Sequence, residues 1–406
     1  MPELERISAE NAVAEGLHCS FCNRKPSDGS DLIAGQDAVI CDECIAACAE
    51  MIAAVGDEDH GDAADGDDAE EAEESTAPAR PTFFRLLTEG DVAALLPIDS
   101  LTEPMEQALR RFSAGRVIQP VRTVLPIGDA FFGVMPAYLH DPPILGAKLV
   151  SVFAKNTALQ LPTHLASVLL FSPDTGALLA LVGGSYITEV RTAVVSAISA
   201  DLLARDDASR LAIIGSGTQA RSHLRALENV FELSDVRVWS PTPEHQAAFI
   251  EEMEPHTTAR IIGADSAEQA VLAADIVVLA TSAHEPVVQS EWIKEGTHVI
   301  SVGACRPDQC EMDPALVRRG RLFVDSRAAA LAESGDVVMA IQERRFTASH
   351  IVGELGELID GKVEGRRSPR DVTIFKSLGL AVEDVVAAEL AYRRALAGDA
   401  GRELEL

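Results

Sequence analysis

The segment LAIIGSGTQARSHLRAL, Leu211 to Leu227, constrains this chain more than any other. A short apolar strand runs into Gly215 and Gly217 and then directly into a helix. That order of elements makes a cradle for the pyrophosphate of a dinucleotide. Gly215 turns the chain tightly, and Gly217 lets a phosphate approach the backbone. The new helix offers unpaired N–H groups and the positive end of its dipole. Ala220 takes the third small position, where helix and strand pack closely. Gly215, Ser216, Gly217, Thr218, Gln219 and Ala220 are therefore the expected cofactor loop.

The rhythm after Asp206 agrees with this. Strands near Leu211, Val236, Ala259, Asp275, His298 and Arg321 alternate with helical stretches, the pattern of a doubly wound parallel sheet. Upstream the pattern is mixed. Ser100 to Ser113 reads as a helix, with Thr102 ahead of Glu103 and Glu106 as its capped start. Strands are expected around 122–127, 130–135, 147–153, 166–172 and 178–182. SPDTG joins the last two and predicts a hairpin. Thr188 to Leu203 reads as a long Ala-rich helix. SLGLAVEDVVAAELAYRRAL, near the C-terminus, has apolar residues at helical spacing and predicts another.

At 406 residues there is room for two or three domains. A net charge of −30 argues against a nucleic-acid partner and against docking on anionic lipid. Part of that charge is local: Asp57 to Glu74 holds eleven acids and no Lys or Arg, leaving −19 elsewhere. This stretch predicts a flexible, self-repelling acidic linker over 55–81. The N-terminal MPELERISAENAVAEG lacks the apolar core of a leader. No apolar run approaches the ~20 residues that span a bilayer. Seven cysteines in such a chain predict reduced thiols and a cytoplasmic protein.

Four of those cysteines form a pattern. Cys19 and Cys22, then Cys41 and Cys44, make two C-x2-C knuckles separated by 18 residues. Two such knuckles supply the tetrahedral thiolate set that Zn²⁺ prefers, and four protein ligands close the site, which makes it structural. LHCSFCNRK and LIAGQDAVICDECIAAC resemble the N-terminal zinc-binding domain of the ClpX unfoldase. The resemblance implies a small dimeric module over 1–54, serving protein docking or dimerisation. No G-x-x-x-x-G-K-[ST] occurs in the chain, so an ATPase is not implied. The ten histidines include no metal-binding pair.

From about Pro97 to Ala397 several ordered motifs carry a second resemblance. They are QPVRT, GAKLVSVF, TEVRTA, GSGTQA, VGACRPDQCEMD, FVDSRAAALAESGD and FKSLGLAVED. Together they are similar to the ornithine cyclodeaminase/mu-crystallin family. The resemblance implies a homodimer with a mixed α/β substrate domain, 82–204 plus 378–406, and a Rossmann domain, 205–377. Arg122 and Arg191 stand where that family places its substrate-carboxylate arginines, and Lys148 matches its active-site lysine. Arginine suits the task because it grips a carboxylate bidentately and keeps its charge. Arg191 and Thr192 are read as starting a helix, so that Thr192 reaches the phosphates. Thr281, beside Ala280 and Ser282, is expected to line the nicotinamide ribose, and Gly303 is expected to bind the cofactor. Asp325 is expected to support the site from behind.

Residue 305 separates two chemistries. Cyclodeaminases of the family carry an aspartate there, whereas this chain has Cys305. A reductase of cyclic ketimine carboxylates, or a related imino or amino acid dehydrogenase, needs only a bound iminium, a placed hydride and a carboxylate clamp. That is the leading expectation. The alternatives are ornithine cyclodeaminase activity and a non-enzymatic, nucleotide-bound binding protein. The strand that selects between cofactors ends at Ser240 with no acid to bond a ribose 2′-OH. Ser240 and Thr242 favour NADP, while Pro241 at the usual arginine position keeps NAD open.

Overall fold

A computed structural model describes residues 5–7, 32–34, 39–41, 44–45 and 81–406. The chain divides into two compact units, Met1–Pro78 and Ala79–Leu406. In the first, β1 (Glu5–Ile7), β2 (Leu32–Ala34) and β3 (Val39–Cys41) form an antiparallel sheet in that order. Cys41 is buried at the end of β3. Cys19 and Cys22 lie outside the described residues, as does most of the acidic linker.

The second unit holds two eight-stranded sheets. The first is built from β4 (Phe83–Leu87), β5 (Val117–Ile118), β6 (Thr123–Ile127), β7 (Ala130–His140), β8 (Pro143–Val152), β9 (His164–Phe171) and β10 (Leu178–Gly183). Its order is β19-β4-β10-β9-β8-β7-β5, with β6 also on β7, and β19 (Arg402–Glu405) returns from the C-terminus to cover β4. SPDTG does close the expected β9–β10 hairpin. The Ser100 start of the first long helix is corrected. A 3-10 turn at Ile98–Leu101 leads straight into the helix Thr102–Ser113, so Leu101 occupies the cap position and no side-chain cap forms.

The second sheet contains β11 (Arg210–Ile214), β12 (Asp235–Trp239), β13 (Arg260–Gly263), β14 (Ile276–Leu279), β15 (His298–Ser301), β16 (Arg321–Val324), β17 (Ile351–Glu354) and β18 (Thr373–Lys376). All its pairings are parallel, in the order β13-β12-β11-β14-β15-β18-β16-β17. Strands running outward both ways from β11 are the Rossmann arrangement, and the switch point falls beside the glycine turn. Two strands were not anticipated, β17 and β18. β18 slips between β15 and β16.

One helix reaches both sheets. Ser185–Leu203 has no broad solvent face: its residues from Val190 to Ala200 are buried, and apolar side chains are spread around the helix rather than along one stripe. It packs against β9 on one side and against β15 and β18 on the other. Among the described residues no helix is long and apolar enough to cross a membrane.

Candidate active site

The glycine turn has the geometry its sequence predicts. Gly215 sits at φ 109°, a conformation open to glycine, and a side chain there would strike the Ala280 carbonyl. Its N–H donates to the Trp239 carbonyl at 2.9 Å, which ties the turn to the end of β12. The helix Thr218–Glu228 starts at Gly217 with no side-chain cap, and a Cβ on Gly217 would meet nothing within 4 Å. Free helix-start N–H groups facing open space fit a dinucleotide pyrophosphate. Ala220 is fully buried against the sheet.

A second helix start opens on the same region, and it is already filled. Ser185 N and Tyr186 N each donate to the Glu89 carboxylate at 2.9 Å. A carboxylate there neutralises the positive helix end. It also corrects the expected start at Arg191. The helix begins at Ser185, and Arg191 and Thr192 lie within it. The Thr192 hydroxyl donates to the Thr188 carbonyl at 2.6 Å.

A cavity of about 1090 Å³ joins both elements to the predicted cations. Arg122, Lys148, Arg191, Thr192, Thr218, Gln219 and Gly303 all line it, together with Cys305. Gly215, Ser216, Gly217, Ala220, Ser240, Thr242 and Thr281 are not among its lining residues. Ser240 follows β12, nearly buried, with its N–H donating to Gln246 Oε1 at 3.2 Å. Thr242 caps the helix Pro243–Met253 without a side-chain hydrogen bond.

Sheet periodicity places Lys148. Along β8, Ile144, Gly146, Lys148 and Val150 alternate onto the buried face, so a lysine is driven where only paired charges survive. Its ammonium lies 2.7 Å from Asp384 Oδ2. Arg191 donates to Asp384 Oδ1 at 3.0 Å and to Glu383 Oε2 at 2.7 Å. Both carboxylates stand in the first turn of the C-terminal helix Ala381–Gly398, where the helix dipole favours them. Arg122 sits 2.9 Å from Glu333 Oε1 and donates to the Leu378 carbonyl at 2.5 Å. Asp325 holds that same loop, accepting from Leu378 N at 2.5 Å and Gly379 N at 2.6 Å.

These placements set the protonation states. Burial pulls Lys148 down to about 8, Asp384 pulls back upward, and Arg191 adds to the lowering. Burial pushes Glu383 up to about 7 against the pull of Arg191, helped by the neighbouring Asp325 and Asp384 charges. Asp384 is held below the usual carboxylate range: Arg191 and Lys148 outweigh its burial. His164, also lining the cavity, falls to about 4 through burial and the nearby Lys148 and Arg191 charges. Burial raises the Cys305 thiol, which donates to the Val302 carbonyl at 3.2 Å.

Reading the sequence singled out the cations and missed their counter-ions, Glu333, Glu383 and Asp384, and also His164 and Glu89. Glu333, Glu383 and Asp384 do stand inside the quoted motifs AAALAESGD and LGLAVED.

Comparison with known proteins agrees with the geometry. The sequence model of the ornithine cyclodeaminase/mu-crystallin family matches residues 85–399, and that of the ClpX C4-type zinc finger matches residues 17–54. The chain is 42% identical over 297 residues to the ketimine reductase mu-crystallin of Mus musculus, covering 72% of this chain and 91% of that protein. The structure of Thermococcus litoralis Δ1-pyrroline-2-carboxylate reductase, in complex with NADH and L-proline, superposes with a TM-score of 0.77 at 39% identity. That match covers 79% of this chain and 99% of the other. An archaeal alanine dehydrogenase dimer with bound NAD gives a TM-score of 0.76 at 30% identity, again covering 79% and 99%.

Proposed function

The chain belongs to the ornithine cyclodeaminase/mu-crystallin family, and we propose that it reduces cyclic imino acids of the pyrroline- or piperideine-2-carboxylate type with a nicotinamide dinucleotide. One observation carries the reading: a single cavity meets the glycine-loop helix through Thr218 and Gln219 and the three cations Arg122, Lys148 and Arg191. A bound reduced nicotinamide supplies the hydride that the C=N carbon accepts. The protein's part is to bind, orient and manage a proton.

Arg122 Nη1 and Arg191 Nη2 have no hydrogen-bond partner among the described residues. Their counter-ions fix both guanidiniums from behind and leave these N–H groups for a substrate carboxylate. Lys148, near 8, is protonated at neutral pH and releases a proton with little cost, which suits it to keep the imine nitrogen protonated. Phe131, Met135, Val150 and Leu378 form an apolar wall that excludes water from the ring. Cys305 keeps its proton because burial raises its thiol, so it is no base for hydration and deamination at neutral pH. This favours reduction over cyclodeamination. Residues 82–204 with 378–406 serve as the substrate domain and 205–377 as the dinucleotide domain.

The finer assignments belong to the same proposal. No acid ends β12, and Ser240 with Thr242 offers hydroxyl donors to a 2′-phosphate, which supports use of NADPH. The edge strand β6 exposes Leu125 and Ile127 on one face, a face suited to a second copy in a homodimer. Cys19, Cys22, Cys41 and Cys44 make a closed donor set for one structural Zn²⁺, in a module suited to protein docking.

The test is dinucleotide oxidation with pyrroline-2-carboxylate, with piperideine-2-carboxylate, and with pyruvate plus ammonia, using NADH and NADPH. Turnover of a cyclic imine is the expected result. If no imine is reduced while ornithine yields proline and ammonia, the reading is overturned. Turnover of pyruvate plus ammonia alone would reassign the chain as an amino acid dehydrogenase.

A further inference from the structure

Beneath the loops that follow β14 and β15 lies a buried charge cluster that the proposed reaction does not use. Glu311 is fully buried. Its Oε1 accepts from Thr281 N at 2.7 Å and from the Thr281 hydroxyl at 2.9 Å. Its Oε2 accepts from the Ser301 hydroxyl at 2.9 Å, Gly303 N at 3.0 Å and Ala304 N at 3.2 Å. Three of these donors are backbone N–H groups, which can only donate, so the site is built around the acceptor oxygens of a carboxylate. A Cβ on Gly303 would lie 2.5 Å from Glu311 Oε1 and collide with Thr281. The carboxylate and the two loops are therefore fitted to each other.

The neighbouring charges do not cancel. Asp336 is buried, accepting from Glu311 N at 2.8 Å and Met312 N at 2.9 Å. One cation serves both acids. Lys376 Nζ lies 3.4 Å from Asp336 Oδ2 and donates to Ser301 Oγ at 3.0 Å, and Ser301 in turn donates to Glu311. Two carboxylates face one ammonium, all of them fully or nearly fully buried.

We propose that Glu311 is a positioning residue that laces the Thr281 and Gly303 loops together and, as part of a buried cluster with one negative charge in excess, favours the oxidised, cationic nicotinamide over the reduced one. The inference rests on the reading that a nicotinamide lies against these loops. An excess charge beneath the loops that would hold the ring, in a medium of low effective dielectric, would distinguish a cation from a neutral ring. It makes the bound reduced cofactor a stronger hydride donor, which is the direction an imine reductase needs.

The experiment measures the dissociation constants of oxidised and reduced dinucleotide, by calorimetry and by reduced-nicotinamide fluorescence, on the full chain. NAD⁺ with NADH and NADP⁺ with NADPH are both used. Glu311→Gln keeps the size and one acceptor but removes the charge, and should raise the ratio Kd(oxidised)/Kd(reduced) about tenfold or more. Glu311→Asp keeps the charge and should weaken both forms while leaving the ratio within about twofold. Asp336→Asn removes the other carboxylate charge and should move the ratio the same way as Glu311→Gln. A folded Glu311→Gln or Asp336→Asn variant whose ratio matches the wild type overturns the inference and leaves the proposed function standing. If neither variant folds, the wild type decides: reduced cofactor bound more than about tenfold tighter than oxidised overturns it, and any smaller preference supports it. Wild-type protein that binds no dinucleotide at all defeats the functional reading itself.

Discussion

At the glycine-loop end of the cavity, the protein presents backbone N–H groups at an uncapped helix start; at the other end, it presents side-chain cations, each locked to a carboxylate. The first end costs little to build. A tight turn and a helix start exist in any β–α unit, and the unpaired N–H groups are exposed until a phosphate covers them. The second end is expensive. Lys148 and Arg191 are taken almost wholly out of water, and only Glu383 and Asp384 make that tolerable. A function carried by backbone can therefore be altered without unfolding the protein, whereas one carried by buried charge is tied to stability.

The largest expected effect follows from that difference. Arg191→Ala strands the buried Glu383 carboxylate and leaves Asp384 with Lys148 alone, and should cost about 3–5 kcal/mol of stability in denaturant titration. Thr218→Ala, at the cofactor end, should cost under about 1 kcal/mol and weaken only dinucleotide binding. Equal losses from the two would break the comparison. Next is Arg122→Ala, whose partner Glu333 is less deeply buried. It should lower kcat/KM for the imino acid about a hundredfold while leaving the dinucleotide Kd within about twofold. A parallel loss of cofactor affinity would show that the two ends are not separable.

The pH profile sharpens the contrast further. Lys148 has its pKa lowered to about 8 by burial. In the proposed reaction the ammonium is the working form, so kcat/KM should hold below that pH and fall as pH rises through about 8. Asp384 raises this pKa, so Asp384→Asn should move the fall to lower pH. A profile flat to pH 9.5 would remove Lys148 from proton management. The smallest effect is expected at Ser240. Ser240→Asp should shift the NADPH-to-NADH preference about tenfold toward NADH by repelling a 2′-phosphate, with melting temperature nearly unchanged. An unaltered preference would place cofactor choice elsewhere.

The same contrast explains what could be read in advance. The glycine turn is local: strand, Gly215, Gly217 and helix follow one another along the chain, so the parallel sheet and its switch point were legible. Arg122, Lys148 and Arg191 were legible through the motifs around them. Their counter-ions were not, because Glu383 and Asp384 stand nearly two hundred residues from Arg191, with sequence separations of 192 and 193. In sequence each is one more acid in a first helical turn, the commonest place for a solvated acid. Glu89 was hidden for the same reason, 96 residues from the helix start it caps. The Thr102 cap failed because a 3-10 turn made it unnecessary.

The helix Ser185–Leu203 carries one more consequence. It bears Arg191, the proposed grip on the substrate carboxylate, and through Ser196 it meets His223 of the glycine-loop helix at 2.8 Å. In the proposed reaction, substrate and dinucleotide would thus be referred to a single helix, like two marks on one ruler. A bulky residue at the buried Ala193 or Ala197 would strain the one element that the substrate end and the cofactor end share.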